Sequence, residues 1–190
     1  MIQDIIRLIS ENLTLIQLRH ALIFFIIIFY AFIVKWLGVT GFKSPLNVTL
    51  RKIFLIIGKS VLVAVVEEFV FRLLLFYIIL QRFLHLNFEH AMIFTSLFFA
   101  LGHFHWIGVH RNAFHKVDLF TGLFIFGMIL CKNFPVGNVA FHMFAIMGVE
   151  VTNLIFKKED PPHWWIWDES HALIRSPIVW ILLIAYYFVV

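Results

Sequence analysis

Six long apolar stretches, separated by short polar segments, dominate the pattern of this chain. They lie at about residues 21–39, 53–80, 90–109, 117–131, 135–156 and 177–190. Crossing the hydrocarbon core of a bilayer takes about 20 apolar residues. Inside lipid the polar backbone groups must be satisfied within a helix. The pattern therefore predicts an all-α, polytopic transmembrane helix bundle of about six spans, in which the long second stretch is tilted or bent.

Two segments outside these stretches have patterns of their own. In residues 1–19 the apolar side chains share one helical stripe and the charged ones lie off it, which is typical of an amphipathic helix in the membrane interface. Packing of this helix against the bundle is the alternative, and the charges exclude a signal peptide. The loop PPHWWIWDES is predicted to anchor at the interface or to act as a lid. Residues 1–190 are treated as a single membrane domain.

Composition strengthens the membrane prediction and excludes other classes. Hydrophobic residues make up 62% of the chain and charged residues only 14%, whereas soluble domains are about 25% charged. The net charge of +4 comes from basic residues in loops, so it indicates membrane topology and contact with the lipid bilayer, not nucleic-acid binding. Cys131 is the single cysteine, predicted to be a packing residue at a helix end. We expect an integral, multi-pass membrane protein.

The second stretch contains three ionisable residues in VVEEFVFRLLLF. Charge at membrane depth is costly, so such residues are functional candidates. Glu68 and Arg72 are four residues apart, which places them on one helical face where they can pair. Glu67 has no cation at its own third or fourth following position, which makes it the candidate general base. The alternative is that the three residues only tie helices together.

Three further polar residues fall inside later stretches. His103 follows Gly102 in the third stretch, and His142 lies in the fifth stretch, one turn after Asn138 on the same helical face. His105 is placed on another face and is predicted to be interfacial. A buried histidine is usually just hydrogen-bonded. Two of them in a chain that also buries a glutamate pair favour one shared polar cluster.

These residues carry a resemblance to a known family. The segment EEFVFR matches the EExxxR motif, and FALGH matches the FxxxH motif, of the glutamic intramembrane proteases named for CAAX processing and bacteriocin processing or immunity. His142 occupies the third motif position. The resemblance covers residues 53–156, the expected catalytic core. In one departure, Ile146 stands where the family usually has asparagine or another polar residue four positions after the histidine.

The resemblance implies a bundle that encloses a wet polar cavity and cleaves peptides without a metal or other cofactor. Glu67 and His103 would activate water, and His142 would stabilise the oxyanion, with Asn138 as our hypothesis for the missing donor. Arg72 would hold Glu68, and Phe99 would shape the wall. The substrate would be a membrane-associated protein or peptide, cut near its membrane-associated end. A chain this short resembles a bacterial member of the family, which implies the bacterial inner membrane as its location.

Two other functions remain open at this point. Glu67, His103 and His142 could form a hydrolytic zinc site, although HExxH is absent and the ligands come from three helices. Alternatively, the chain could be a non-catalytic immunity or sorting protein of the same fold, which the substitution at Ile146 favours. The span limits also raise a conflict, since they place His103 and His142 about 10 Å apart in depth on helices that run in the same direction.

Overall fold

The chain folds into helices that largely coincide with the six apolar stretches. The structure, a computed structural model, describes residues 18–38, 40–43, 48–103, 113–134, 138–156 and 176–189, with residues 3, 4, 6, 7 and 10 near the N-terminus. The helices are α1 (Leu18–Trp36), α2 (Leu50–Glu67), a π-helical segment (Glu68–Phe83), α3 (Phe88–Gly102), α4 (Ala113–Asn133), α5 (Asn138–Ile155) and α6 (Pro177–Val189). Within the described residues the only β-type pairing is an isolated bridge between Phe42 and Phe156. The all-helical prediction is confirmed.

The long second stretch is one continuous helix whose winding changes between the two glutamates. Glu67 is the last residue of α2, and Glu68 is the first residue of the π-helical segment. At the far end the Leu84 amide donates to the carbonyl of Ile79, five residues back. π-Helix occurs mostly as single turns inside α-helices, frequently at functional sites, so a segment of 16 residues is unusual.

Helix ends are fixed by side chains suited to that task. Thr49 accepts a hydrogen bond from the Lys52 amide at the start of α2. Asn87 accepts one from the His90 amide at the start of α3, as N-cap residues do. Between the π-helical segment and α3, His85 adopts a φ of 54°. This left-handed residue lets the chain reverse direction within a few residues.

The two halves of the continuous helix are covered by different partners. On α2, Lys59 pairs with Glu150 of α5. Glu68, the first residue after α2, contacts His142 of α5. Because the later residue on one helix contacts the earlier residue on the other, α5 runs antiparallel to α2. On the π-helical segment, the Phe71 ring lies against Gly102 at the end of α3. Since α3 follows this segment after the reversal, it runs antiparallel to it.

This arrangement removes the conflict over the depth of the two histidines. Helices α3 and α5 do run in the same direction, but α3 lies along the π-helical segment and α5 lies along α2. The C-terminal end of α3 therefore meets the N-terminal end of α5 at the middle of the continuous helix. His103 directly follows α3, and His142 lies in the first turns of α5. The expected depth difference of about 10 Å was wrong because the two helices are offset end to end.

Length and hydropathy identify one candidate membrane span among the described helices. Helix α5 is long and apolar enough to cross a bilayer, whereas the apolar helices 22–36, 88–102 and 177–188 are shorter. This finding does not establish six spans. Of residues 1–19, those described are helical, and the interfacial position of this segment stays a prediction. The tryptophan-rich loop and His105 lie outside the described residues.

Candidate active site

Glu67 lies where three helices meet and faces both imidazoles. Its side chain is 20% exposed. Its Oε1 atom is 3.5 Å from Nε2 of His103, and its Oε2 atom is 3.5 Å from Nε2 of His142. Both separations exceed the usual hydrogen-bond length. The carboxylate is therefore bracketed by two ring nitrogens and keeps access to the exterior of the bundle.

Glu68 is buried and has three polar partners, in contrast to its neighbour. Its side chain is 2% exposed. Oε1 lies 2.7 Å from Nδ1 of His142 and 3.4 Å from a guanidinium nitrogen of Arg72. Oε2 accepts a hydrogen bond from the side-chain amide of Asn138. The pairing expected from the four-residue spacing is present, and the two consecutive glutamates have different environments.

Arg72 supplies the buried positive charge beside Glu68. Its side chain is 0% exposed, and its guanidinium carbon lies 4.5 Å from the centre of the Phe99 ring. This distance is within cation–π range. None of its three nitrogens has a hydrogen-bond acceptor among the described residues. The carboxylate of Glu68 and the aromatic face of Phe99 therefore compensate its charge.

His103 is oriented by the helix that it terminates. Its Nδ1 atom lies 2.7 Å from the carbonyl oxygen of Phe99, one turn earlier. A carbonyl can only accept, so Nδ1 carries a proton in this contact. In a neutral ring the lone pair is then on Nε2, the atom that faces Glu67. This contact gives Phe99 a second role, besides its contact with Arg72.

His142 is fixed by both a carboxylate and an aromatic ring. Its Nδ1 contact with Glu68 leaves Nε2 directed toward Glu67. The Phe126 ring packs edge-on against the imidazole at 5.4 Å between ring centres. The two histidines thus share one arrangement, in which Nδ1 is held by the protein and Nε2 faces the same carboxylate.

Asn138 begins α5 and lies one turn before His142. Its side-chain amide donates to Glu68, and its Oδ1 atom is buried without a hydrogen-bond partner in the described part of the chain. We expected this amide to point at an oxyanion, whereas the structure uses one of its hydrogens to hold Glu68. Ile146, one turn after His142, is partly buried.

All six residues proposed from the sequence come together at this junction. Sequence reasoning missed Phe126, which has no motif signal, and the carbonyl of Phe99, although its position four residues before His103 on a helix could have suggested the contact. Cys131 packs in an apolar cluster, as predicted. In the described residues, no group of three or more His, Cys, Asp or Glu side chains is arranged to hold a metal ion.

The described part of the chain combines helices with a cluster of carboxylates and imidazoles, and comparison with known families identifies its class. The profile of the Rce1-like family, described as type II CAAX prenyl endopeptidase Rce1-like, matches residues 47–144. The match spans just over half of the chain and contains all six site residues. The chain therefore belongs to the Rce1-like family, which confirms the resemblance drawn from EEFVFR and FALGH. No curated protein matches the chain, and no solved structure does.

Proposed function

We propose that this protein is a glutamic-type intramembrane endopeptidase that works without a metal ion. The observation that carries the proposal is the position of Glu67 between the Nε2 atoms of His103 and His142, each 3.5 Å from a different carboxylate oxygen. A partly exposed carboxylate flanked by two oriented imidazoles can both activate water and stabilise the charge that develops on a substrate.

Water activation is assigned to Glu67 and His103. Since Nδ1 of His103 donates to the Phe99 carbonyl, a neutral ring presents its lone pair at Nε2. A water beside this atom can donate one hydrogen bond to the imidazole and the other to Glu67. Glu67 then takes a proton as the water oxygen attacks the peptide carbonyl carbon.

Oxyanion stabilisation is assigned to His142. Its Nδ1 donates to Glu68, so Nε2 can donate as well only when the ring carries both protons, with Glu68 as its counter-ion. Glu68 is held in turn by Arg72 and Asn138. Collapse of the tetrahedral intermediate breaks the C–N bond, and the proton held by Glu67 passes to the leaving amine.

The substrate is proposed to be a membrane-associated protein or peptide, cleaved near its membrane-associated end. Large apolar side chains are exposed along the outer faces of α1 and α2, among them Phe25, Phe29, Phe54 and Leu62. Exposed apolar surface on this scale marks contact with a membrane or partner. Together with the family's CAAX endopeptidase description, it supports a membrane protein. A multi-pass arrangement in a bacterial plasma membrane is part of the proposal.

The test is cleavage of a farnesylated, fluorescence-quenched CAAX peptide by protein reconstituted into liposomes. We expect Glu67→Gln to lower kcat/KM at least about 100-fold, since general bases contribute 10²–10⁴-fold. Glu89→Gln is the matched control, because Glu89 is exposed in the first turn of α3, and it should cleave normally. Equal rates for Glu67→Gln and the unsubstituted protein would refute the proposal.

One observation favours zinc hydrolysis as a second candidate. Histidines that bind metals usually donate Nδ1–H to a carbonyl or carboxylate and present Nε2 to the metal, and both His103 and His142 have Nδ1 held in this way.

A further inference from the structure

An ion pair joins α2 to α5 away from the active site. The ammonium group of Lys59 contacts the carboxylate of Glu150, although the two residues are 91 positions apart in the chain. Neither residue takes part in the chemistry assigned above. Because the contact is between two different helices, it forms only when those helices pack in one particular register.

The register of this ion pair is also the register of the active site. On α2, Glu67 follows Lys59 by eight positions. On α5, His142 precedes Glu150 by eight positions. Because the helices are antiparallel, these equal offsets place the ion pair about 12 Å from the Glu67–His142 contact along both helix axes. Sliding α5 along α2 would therefore break both contacts together.

The C-terminal end of α5 is held by the segment that precedes α2. The backbone amide of Lys43 donates to the carbonyl of Ile155, and its ammonium group donates to the carbonyl of Asn153. A cation is favourable beside the last carbonyls of a helix. The ion pair of Lys59 and Glu150 lies between this end of α5 and His142, so it holds the part of α5 that leads to the active site.

The surroundings of Lys59 are apolar on its own face of α2. Leu55 and Leu62, four positions before it and three after it, are 61% and 65% exposed. In water, a salt bridge with an exposed lysine contributes little. In the membrane protein proposed above, this face borders acyl chains, where opposite charges attract more strongly and an unpaired charge is costly.

We propose that Lys59 and Glu150 are positioning residues, which hold the register of α5 against α2. The inference rests on the proposed function, because that register is what brings His142 to Glu67 and Glu68. Misplacing a catalytic group by about 1 Å can cost about 100-fold in rate. The pair lies about 12 Å from Glu67, so its loss should lower kcat and leave KM nearly unchanged.

The test is a charge swap, measured by cleavage of the farnesylated peptide in liposomes. Lys59→Glu places a second carboxylate opposite Glu150 and should lower kcat at least about tenfold, with KM changed by less than about twofold. The double variant Lys59→Glu/Glu150→Lys restores opposite charges and should recover most of kcat. Arg51→Glu is the matched control, because Arg51 is exposed in the first turn of α2, and it should cleave normally.

A milder variant covers a failure of the charge-reversed protein to fold. Glu150→Gln removes one charge with little change in shape and should lower kcat about threefold or more, again with little change in KM. Glu89→Gln, on the exposed start of α3, should not. A lower thermal midpoint of Glu150→Gln with kcat unchanged would make the pair merely structural and overturn the proposal.

A spectroscopic readout separates this inference from the proposed function. The imidazole nitrogens of His142 contact Glu68 and Glu67, so their chemical shifts report the register in protein isotope-labelled at histidine, with His142→Gln assigning the signals. Lys59→Glu should move these signals, and the charge swap should return them. Unmoved signals, or a swap that recovers neither the signals nor kcat, would overturn the proposal. Absence of cleavage by the unsubstituted protein, with the signals behaving as expected, would count against the proposed function alone.

Discussion

Nδ1 of His142 lies 2.7 Å from Oε1 of Glu68, whereas Nε2 of the same ring lies 3.5 Å from Oε2 of Glu67. One imidazole thus connects two consecutive glutamates that have different environments. Glu68, which is buried, holds the ring through Nδ1. Glu67, which is more exposed, faces the Nε2 edge of the ring, beside the space where a substrate would bind.

Removing one partner of the buried Glu68–Arg72 ion pair is expected to destabilise the fold. Arg72→Met leaves Glu68 without its cation, and breaking a buried pair costs about 3–5 kcal/mol of unfolding free energy. For a chain of this size the thermal midpoint in detergent should fall by roughly 10 °C. The double variant Glu68→Gln/Arg72→Met should regain much of the loss, because neither charge is then left alone.

The exposed Arg82 provides the control for this prediction. It donates to the Tyr77 hydroxyl at the surface, so Arg82→Met should change the midpoint little. A similar midpoint for Arg72→Met and Arg82→Met would show that the Glu68–Arg72 pair is not needed for stability.

Asn138 is expected to act on catalysis through Glu68. Its amide donates to Oε2 of Glu68, so Asn138→Ala should lower kcat by about tenfold, the equivalent of a lost hydrogen bond to a charged group. If this route is correct, adding Asn138→Ala to Glu68→Gln should cause little further loss, since residues in one network are not additive.

The hypothesis that Asn138 stabilises the oxyanion predicts a different result. If Asn138 is an independent oxyanion donor, Asn138→Ala should lower kcat by a similar factor in the unsubstituted protein and in Glu68→Gln. The shape of the pH–rate profile should then be unchanged. Loss of a partner of Glu68 should alter that profile, because Glu68 contacts the ring of His142. Activity of Asn138→Ala equal to that of the unsubstituted protein would contradict both routes.

Close packing at Gly127 is expected to support the position of Phe99. A Cβ atom at this glycine would lie 3.1 Å from the backbone of Ser96 and 3.3 Å from the Phe99 ring. Gly127→Ala should therefore separate α3 from α4, lower stability by about 1–3 kcal/mol, and reduce cleavage because Phe99 contacts both Arg72 and His103. Thermal unfolding and peptide cleavage measure the two effects.

Gly58 offers a matched glycine in α2 with open space around it. Gly58→Ala should raise stability by about 0.5–1 kcal/mol through helix propensity. If Gly127→Ala proved as stable as Gly58→Ala, the close approach of α3 and α4 would have no energetic importance.

Metal removal distinguishes the two hydrolytic mechanisms. We expect peptide cleavage to persist after treatment with a chelator and gel filtration, and elemental analysis to find far less than one zinc per chain. Stoichiometric zinc, together with loss of cleavage that added zinc restores, would replace the metal-independent mechanism and leave Glu67, His103 and His142 as the candidate ligands.

Local patterns in the sequence predicted which residues form the site. The contacts between residues on different helices depend on how those helices pack, which local patterns do not show. The four-residue spacing of Glu68 and Arg72 predicted their pairing, and the long apolar stretches located the helices. The end-to-end offset of α3 and α5 was not predictable, because it depends on which half of the continuous helix each one covers. Asn138 was placed on the correct face, but its partner lies seventy residues away, where local spacing carries no information.

The change of winding at Glu67 and Glu68 falls in the interior of the longest helix, far from either end. Helix ends fray, whereas interiors are held on both sides. Both acids therefore occupy a rigid backbone, while His103 follows the end of one short helix and His142 lies near the start of another. Any relative motion of the helices would move the two imidazoles relative to the two carboxylates, so the site would open and close from the imidazole side.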